Sequence, residues 1–184
     1  MKKFFCFCFG MFLVVTGCKD VSDEPTKAIQ SVDTKYDIYD FSYIKKAPDA
    51  DEEHPIDDVI KIYFSEWSME GSTVIAIDVE NREIFKDPHS TRNGIESFED
   101  PVFVEDAREV LKIIEKYNVQ KWKEDYTFED PSTYEDGISF DIWIQFSDGT
   151  VDRHGGAGTS KSAITREGFD TLAKELIDFV DTRL

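Results

Sequence analysis

Residues 138–151 have the sequence ISFDIWIQFSDGTV, and this stretch decides the fold of the C-terminal half. Apolar side chains occupy every second position, at Ile138, Phe140, Ile142, Ile144 and Phe146. This period of two is typical of a β-strand with one buried face. Asp148-Gly149 follows at once, a pair that tolerates the positive φ angles of a two-residue type I′ turn. The stretch therefore predicts a β-hairpin whose return strand begins at Thr150-Val151 and whose apolar face needs a cover.

Hydrophobic periodicity on either side of this hairpin predicts an α+β fold. Residues 59–64 and 73–79 alternate like strands, with six inward positions: Ile60, Ile62, Phe64, Ile75, Ile77 and Val79. Residues 104–117 and 165–182 carry apolar stripes at helical spacing. Thr165 is a good N-cap for the second helix. We expect an antiparallel β-sheet that these two helices cover on one face.

The order strand–turn–strand–loop–helix occurs twice along the chain. In the second half the loop is predicted at the glycine-rich residues 154–158, just before the last helix. A strand at residues 119–123 and a loop at residues 88–101 are also predicted. The repeated order has two explanations, a duplicated β-hairpin–helix unit or two halves that share a common α+β arrangement.

Residues 1–17, MKKFFCFCFGMFLVVTG, are predicted to be a cleaved signal peptide. Lys2 and Lys3 precede an apolar run that is too short to span a membrane. Residues 15–18, VTGC, then resemble a bacterial lipobox, in which small side chains flank the scissile bond and a cysteine receives diacylglycerol. We expect a lipid-anchored Cys18, and an ordinary signal peptide followed by a chance cysteine is the alternative. Lipidation would place the protein in the bacterial cell envelope, on the outer face of a membrane (the outer membrane in a Gram-negative cell).

Removal of residues 1–17 would leave Cys18 as the only cysteine, so the exported domain is expected to have no internal disulfide. Residues 18–55 are rich in acids, serine, proline and alanine, which predicts a solvated acidic tether. Residues 56–184 are then expected to form a single α+β globular domain.

Four aromatic residues form a possible binding surface: Tyr39, Phe41, Tyr43 and Trp143. The first three alternate like a short strand inside the tether, which could dock on the domain as an edge strand or serve as a recognition segment. Trp143 lies on the face of its strand opposite the apolar stripe. Either other parts of the chain cover it, or it is exposed as a binding platform.

The formal net charge is −18, and it would be −20 once Lys2 and Lys3, the only charged side chains in residues 1–17, are removed. This acidity argues against a nucleic-acid partner, because phosphate binding needs a basic patch. Solubility is the simplest consequence of the charge, and attraction of a cationic partner is the other.

Motifs for a cofactor, a metal or a nucleotide are not found. Residues 155–162 approximate the phosphate-binding pattern G-x-x-x-x-G-K-[ST], but Ser160 stands where glycine is needed. The three histidines are far apart and lack the spacing of zinc ligands. Acidic residues are so numerous that a pair resembling a glycosidase dyad carries no weight. No cofactor is therefore expected.

The C-terminal part of the chain, from about residue 104 to 184, resembles a family of small uncharacterised bacterial proteins, many of them lipoproteins. The resemblance is carried by residues 116–119 (KYNV) with Trp122, residues 136–140 (DGISF), residues 144–149 (IQFSDG) and Phe169. The family has no assigned activity, so the resemblance implies a module and no reaction.

Two functional hypotheses remain. The preferred one is a non-enzymatic, membrane-anchored binding module for a protein or envelope component, including an inhibitor or immunity-like role towards a cationic partner. The alternative is a cell-envelope hydrolase that uses carboxylates among Glu129, Asp130, Glu135, Asp136 and Asp141.

Overall fold

The computed structural model describes residues 41–92, 94–127, 139–158 and 168–184. These residues form a six-stranded antiparallel sheet, a separate two-stranded hairpin and two α-helices, which confirms the predicted α+β class. The strands are β1 (Val59–Ser68), β2 (Gly71–Asp78), β3 (Glu83–Ile84), β4 (His89–Ser90), β5 (Ile95–Glu96), β6 (Val102–Phe103), β7 (Ser139–Phe146) and β8 (Val151–Ala157). The helices are α1 (Val110–Lys116) and α2 (Phe169–Asp181), and short 3-10 helices span Phe41–Lys45, Ile56–Asp58, Ala107–Glu109 and Val119–Lys121.

The large sheet has the strand order β6-β3-β2-β1-β7-β8, and β4 pairs only with β5. The hairpin predicted from residues 138–151 is present as β7 and β8. Its first strand pairs with β1 at the centre of the sheet, where Phe64 lies opposite Ile142 and Tyr63 lies opposite Trp143. The two long hairpins, β1–β2 and β7–β8, therefore meet through their first strands.

The turn between β7 and β8 is not the predicted type I′ turn. The Gly149 N–H donates to the Phe146 carbonyl at 2.9 Å, and the Phe146 N–H donates to the Thr150 carbonyl at 2.9 Å. Gly149 has a φ of 89°, whereas Asp148 does not have a positive φ. This is a type I turn closed by a glycine bulge. The prediction failed because Asp148 accepts hydrogen bonds from the Thr150 N–H and hydroxyl, at 2.9 and 2.7 Å, and these bonds hold the longer turn.

The main core lies between the sheet and the two α-helices, on what we call the helix face. The predicted inward residues of β2 and β7 are part of it, including Ile75, Ile77, Ile142 and Ile144. In β1, the residue that belongs to this core is Val59, and the prediction that Ile60 belongs to it was wrong. The pairing register of β1 with β7 shifts between Val59 and Lys61, and such a bulge reverses the side on which the residues before it point.

Helix α1 is shorter than its sequence pattern, and α2 is described from Phe169 onward. A 3-10 turn leads into α1, so the first part of the predicted segment 104–117 is not α-helical. Helix α2 begins after Gly168, whose φ of 84° favours glycine. A Cβ added there would also lie 3.1 Å from the Tyr117 ring, a tight contact. Thr165, the predicted N-cap, lies outside the described residues. In the part of the chain that the structure describes, neither helix has the length and hydrophobicity to cross a bilayer.

Three local predictions in the two halves were wrong. Residues 154–157, predicted as a loop, are the end of β8. There an added Cβ on Gly156 would lie 2.9 Å from the Tyr126 Cβ, so glycine lets the chain around Tyr126 approach the strand. Residues 119–121 form a 3-10 helix instead of a strand. The predicted loop 88–101 contains the β4–β5 hairpin.

Residues 41–50, which we call the strap, pack against the sheet, so the packed part of the chain begins before residue 56. The predicted strand around Phe41 and Tyr43 is instead a 3-10 helix. The strap then runs parallel to β8, where the Ala50 N–H donates to Val151 O and the Val151 N–H donates to Pro48 O, both at 2.9 Å. Farther along β8, Asp125 forms a second parallel bridge with Gly155.

Candidate functional site

The face of the sheet opposite α1 and α2, which we call the second face, has a smaller core of its own. Its buried residues come from the strap, the central strands, β5 and β8: Phe41, Ile44, Tyr63, Ala76, Ile95, Trp143 and Val151. The strap and the β4–β5 hairpin supply the cover. A sheet with two covered faces explains why Trp143 and Gln145, at odd-numbered positions of β7, are buried as well as the even-numbered ones.

The structure buries two of the four aromatic residues predicted as a binding surface. Trp143 is 9% exposed, and its ring centre lies 4.5 Å from that of Tyr63. Phe41 is 4% exposed and lies 4.8 Å from the ring of Phe85. Tyr43 is 38% exposed, and Tyr39 lies outside the described residues. Trp143 is therefore covered by other parts of the chain, and only Tyr43 among the described three offers substantial surface.

Arg153 on β8 holds the strap over Trp143. Its guanidinium donates to the carbonyls of Ile44 and Ala47, at 3.0 and 2.9 Å, and also bonds the Asp49 carboxylate. The same group lies 5.9 Å from the centre of the Trp143 ring, which faces it across the β7–β8 pair. The Arg153 guanidinium thus holds the strap in place and covers the Trp143 indole.

Beyond the strap, the second face has an open end. It is formed by residues that pair across β1, β7 and β8 and are half-buried or exposed: Ser65, Trp67, Ser139, Asp141 and Gly155. Trp67 is 50% exposed, and its register places it on the same side of the sheet as Ser65 and Asp141. We call this set the open end. The sequence pattern did not reveal this set, although Trp67 lies an even number of residues after Tyr63 on β1 and therefore points to the same face.

A groove of about 430 Å³ lies along the open end. Asp141 and Trp143 line it from β7, Gly155 lines it from β8, and Glu124 and Asp125 border it. A Cβ added to Gly155 would lie 3.1 Å from Asp141 Oδ1 and 3.0 Å from the Phe140 carbonyl oxygen. The absence of a side chain there leaves room for the Asp141 carboxylate across β8.

Polar side chains connect Asp141 with the strap. The Ser65 hydroxyl donates to Asp141 Oδ2 at the long distance of 3.5 Å. The side chains of Ser65 and Ser90 both act on the Tyr63 phenol and lower its pKa. The Lys45 ammonium donates to Ser90 Oγ at 3.1 Å, which links the strap to the β4–β5 hairpin. The open end and the covered part of the second face therefore share one polar network.

Burial raises the pKa of the Asp141 carboxyl above its usual range. The hydrogen bond from Ser65, the positive charge of Lys45 and a hydrogen bond from the Trp143 indole oppose this effect. Burial also raises the pKa of the Tyr63 phenol, and the neighbouring Asp141 charge adds to the increase. Both shifts follow from polar groups that are withdrawn from water on a sheet face.

Of the five acids named for the alternative hydrolase, only Asp141 lies within the described residues. The groups that act on its carboxyl are a serine, a lysine and an indole, and Glu124 and Asp125 line the same groove. In the described ranges, no group of three or more His, Cys, Asp or Glu residues could hold a metal ion.

His54 and His154 have structural contacts. The ring of His54 stacks on Phe146 at 4.3 Å, and its Nε2 lies 3.6 Å from Asp148 Oδ2 near the β7–β8 turn. His154 is 2% exposed, and its Nδ1 lies 3.2 Å from the Lys123 carbonyl oxygen. Its Nε2 lies 3.1 Å from Asp152 Oδ2, but the angles do not fit a hydrogen bond. Both histidines fix local packing.

Comparisons of this chain with models of protein families, with curated proteins and with solved structures found no match. The functional argument therefore depends on the residues of the chain itself, and chiefly on the open end of the second face.

Proposed function

We propose that this protein is a non-enzymatic binding module, anchored through lipidated Cys18 to the outer face of a bacterial membrane. The sequence of residues 1–18 supports the anchor: a positive start, a short apolar run and VTGC. Two or three acyl chains, at about 0.8 kcal/mol per buried methylene, anchor a protein far more firmly than one chain.

The open end of the second face is the observation that carries the binding role. An exposed tryptophan there shares a sheet face with a half-buried carboxylate, and a groove of about 430 Å³ runs beside the carboxylate. Exposed aromatic side chains are enriched where proteins bind one another, because they bury a large area at a small entropic cost. Asp141, Glu124 and Asp125 line the groove together with one arginine, Arg153, so acids are in excess there and favour a partner segment that carries lysine or arginine.

The overall charge supports the same class of partner. A protein with a net charge of −18 attracts a cationic protein from a distance and speeds their encounter. A secreted lytic enzyme or a toxin that this module neutralises would meet both requirements, a basic surface and access to the cell envelope.

The anchor is tested by partitioning between detergent and water. We expect the wild-type protein to enter the detergent phase and Cys18→Ala to remain in the aqueous phase. A Cys18→Ala variant that still partitions into detergent would rule out lipidation at this residue.

The binding role is tested by affinity capture from envelope extracts with residues 19–184 as bait, at low and high salt. The bait must contain the strap, since a fragment that starts at residue 56 would lose Phe41 and Ile44 from the second core. We expect a stoichiometric basic partner whose capture weakens at high salt.

Two exposed aromatic residues provide a matched pair for this experiment. Trp67→Ala should reduce capture at least about tenfold, which corresponds to 1.4 kcal/mol. Phe98→Ala removes another exposed aromatic residue, which is 88% exposed and lies outside the open end, and should leave capture unchanged. Equal capture by both variants would exclude the open end. Turnover of peptidoglycan or glycan substrates that is lost in Asp141→Asn would favour the hydrolase instead.

A further inference from the structure

The strap is held over the second face from two sides. On the β8 side, Arg153 binds the carbonyls of Ile44 and Ala47 and the carboxylate of Asp49. On the side of the β4–β5 hairpin, the Lys45 ammonium donates to Ser90 Oγ and to Thr91 O, at 3.1 and 2.9 Å. Most of these bonds join a charged side chain to a neutral group near the surface.

At Gly94 the hairpin approaches the strap closely. A Cβ added at this position would overlap the carbonyl oxygen of Ser42 and would lie 2.8 Å from its carbonyl carbon. The docked position of the strap therefore requires glycine here. Docking is a fitted contact and not a loose association of a neighbouring loop.

The strap contributes little to the main core. Its buried apolar residues, Phe41 and Ile44, belong to the second core, which they form with Tyr63 and Trp143. The helix-face core contains no buried residue of the strap, and only the partly buried Ala50 touches it. Displacement of the strap would thus leave the contacts between the sheet and the α-helices in place.

We propose that the strap is a releasable latch, which Arg153 and the close contact at Gly94 hold shut. Its opening uncovers the aromatic pair Tyr63 and Trp143, which continues the second face from the open end. Opening also frees ten residues of chain, which extend by at most about 33–36 Å. This device depends on the folded domain alone and does not rely on the lipid anchor or on the proposed partner.

Native-state hydrogen exchange of the full chain tests the latch without any substitution. The Ala50 and Val151 N–H groups bond between the strap and β8, whereas the Phe64 N–H lies in the central strand β1. A latch opens locally, so the Ala50 N–H should exchange at least tenfold faster than the Phe64 N–H, with little dependence on denaturant. Equal rates that rise together with denaturant would show that the strap unfolds only with the whole domain and would overturn the proposal.

Two glycine variants separate the strap contact from backbone strain. Gly94 and Gly71 have nearly the same φ, 152° and 153°, so alanine strains the backbone similarly at both positions. A Cβ at Gly71 meets nothing within 4 Å, whereas at Gly94 it displaces Ser42. Gly94→Ala should speed exchange of the Ala50 N–H at least tenfold, and Gly71→Ala should not. The same exchange rate in both variants would contradict a fitted strap.

A pair of arginine variants tests the other side of the latch. Arg153→Gln should speed exchange of the Ala50 N–H at least tenfold and leave the Phe64 N–H unchanged. Arg183→Gln is the control, because Arg183 pairs with Asp106 away from the strap. If Arg153→Gln leaves the Ala50 rate unchanged, or speeds both amides equally, Arg153 does not hold a latch.

Discussion

The two faces of the sheet differ in how their cores are built. Among the described residues, the helix face has 25 buried residues in its core and the second face has seven, so the first supplies most of the apolar burial. The second face also contains half-buried or buried polar groups, including Asp141, Gln145 and Lys61. Its cover is a strap and a hairpin of two-residue strands, not α-helices.

Under the proposed binding role, this difference would separate stability from recognition in the molecule. The helix face can supply the folding free energy because its side chains are apolar and closely covered. The second face can then retain a carboxylate with a raised pKa, an exposed tryptophan and a cover held by charged side chains, although these features stabilise the fold poorly. The following predictions test that separation, beginning with the largest effect.

The largest effect is expected for Ile142→Asp on the helix face. Ile142 is fully buried, so the variant would place an unpaired carboxylate in the main core. We expect the free energy of unfolding to fall by about 4 kcal/mol or more. Urea denaturation measures this loss, and Ile142→Val, at about 0.5–1.5 kcal/mol, is the control for volume. A loss for Ile142→Asp no larger than that of the control would refute the location of the main core.

A phenylalanine from each face gives an intermediate and more informative comparison. Phe169 packs 4.8 Å from the Phe140 ring in the main core, and Phe41 packs at the same distance from Phe85 under the strap. Phe169→Ala should cost about 3–5 kcal/mol. Phe41→Ala should cost about 2 kcal/mol or less, because a strap that detaches limits the loss.

Chemical denaturation of the two variants under the same conditions decides between a shared core and two separate ones. Equal losses would mean that the strap contributes to stability as fully as α2 does. That result would show that the two faces do not differ in their contribution to the free energy of unfolding.

The smallest effect is expected for Asp141→Asn. Because burial raises the pKa of this carboxyl in the folded state, the folded protein holds the proton more tightly than the unfolded chain does. Ionisation of Asp141 therefore destabilises the fold. The resulting loss in the free energy of unfolding grows as the pH rises from the unfolded-state pKa, about 3.9, through the folded-state pKa. Asp141→Asn should stabilise the protein at pH 7 by less than about 1 kcal/mol, and the gain should vanish near pH 3.

Melting curves of wild type and Asp141→Asn from pH 3 to pH 8 would show this pattern. A variant that is less stable than wild type at pH 7 would contradict it. In that case the ionised carboxylate would make contacts that more than compensate for its burial.

The elements of the helix face could be predicted because their residues repeat at regular intervals. Ile75, Ile77 and Val79 alternate, and the α2 stripe recurs at helical spacing, so each pattern points to one buried side. The predicted hairpin 138–151 had the same strong signal. The bulge near Ile60 could not be predicted, because it depends on how β1 pairs with a strand far along the chain.

The second face was harder to predict because its cover comes from distant and irregular segments. Phe41 becomes buried only when the strap meets β5 and β8, a contact across about 110 residues of chain. Gly155 and Gly156 were assigned to a loop from composition, yet they lie in β8, where the Asp141 carboxylate and Tyr126 need space. The open end was missed for the same reason, since Trp67 and Asp141 become neighbours only through the β1–β7 register.

The two parallel bridges on β8 have a consequence for proteins crowded together on a membrane. An outermost strand with free N–H and C=O groups is a template on which another molecule can add a strand and start a polymer. Here the segments around Asp49 and Asp125 occupy part of that hydrogen-bonding edge of β8. At the opposite edge, β6 has only two residues, too few to align a long partner strand. The fold thus resists edge-to-edge polymerisation at both sides of its sheet, even at the high local concentration that anchoring would create.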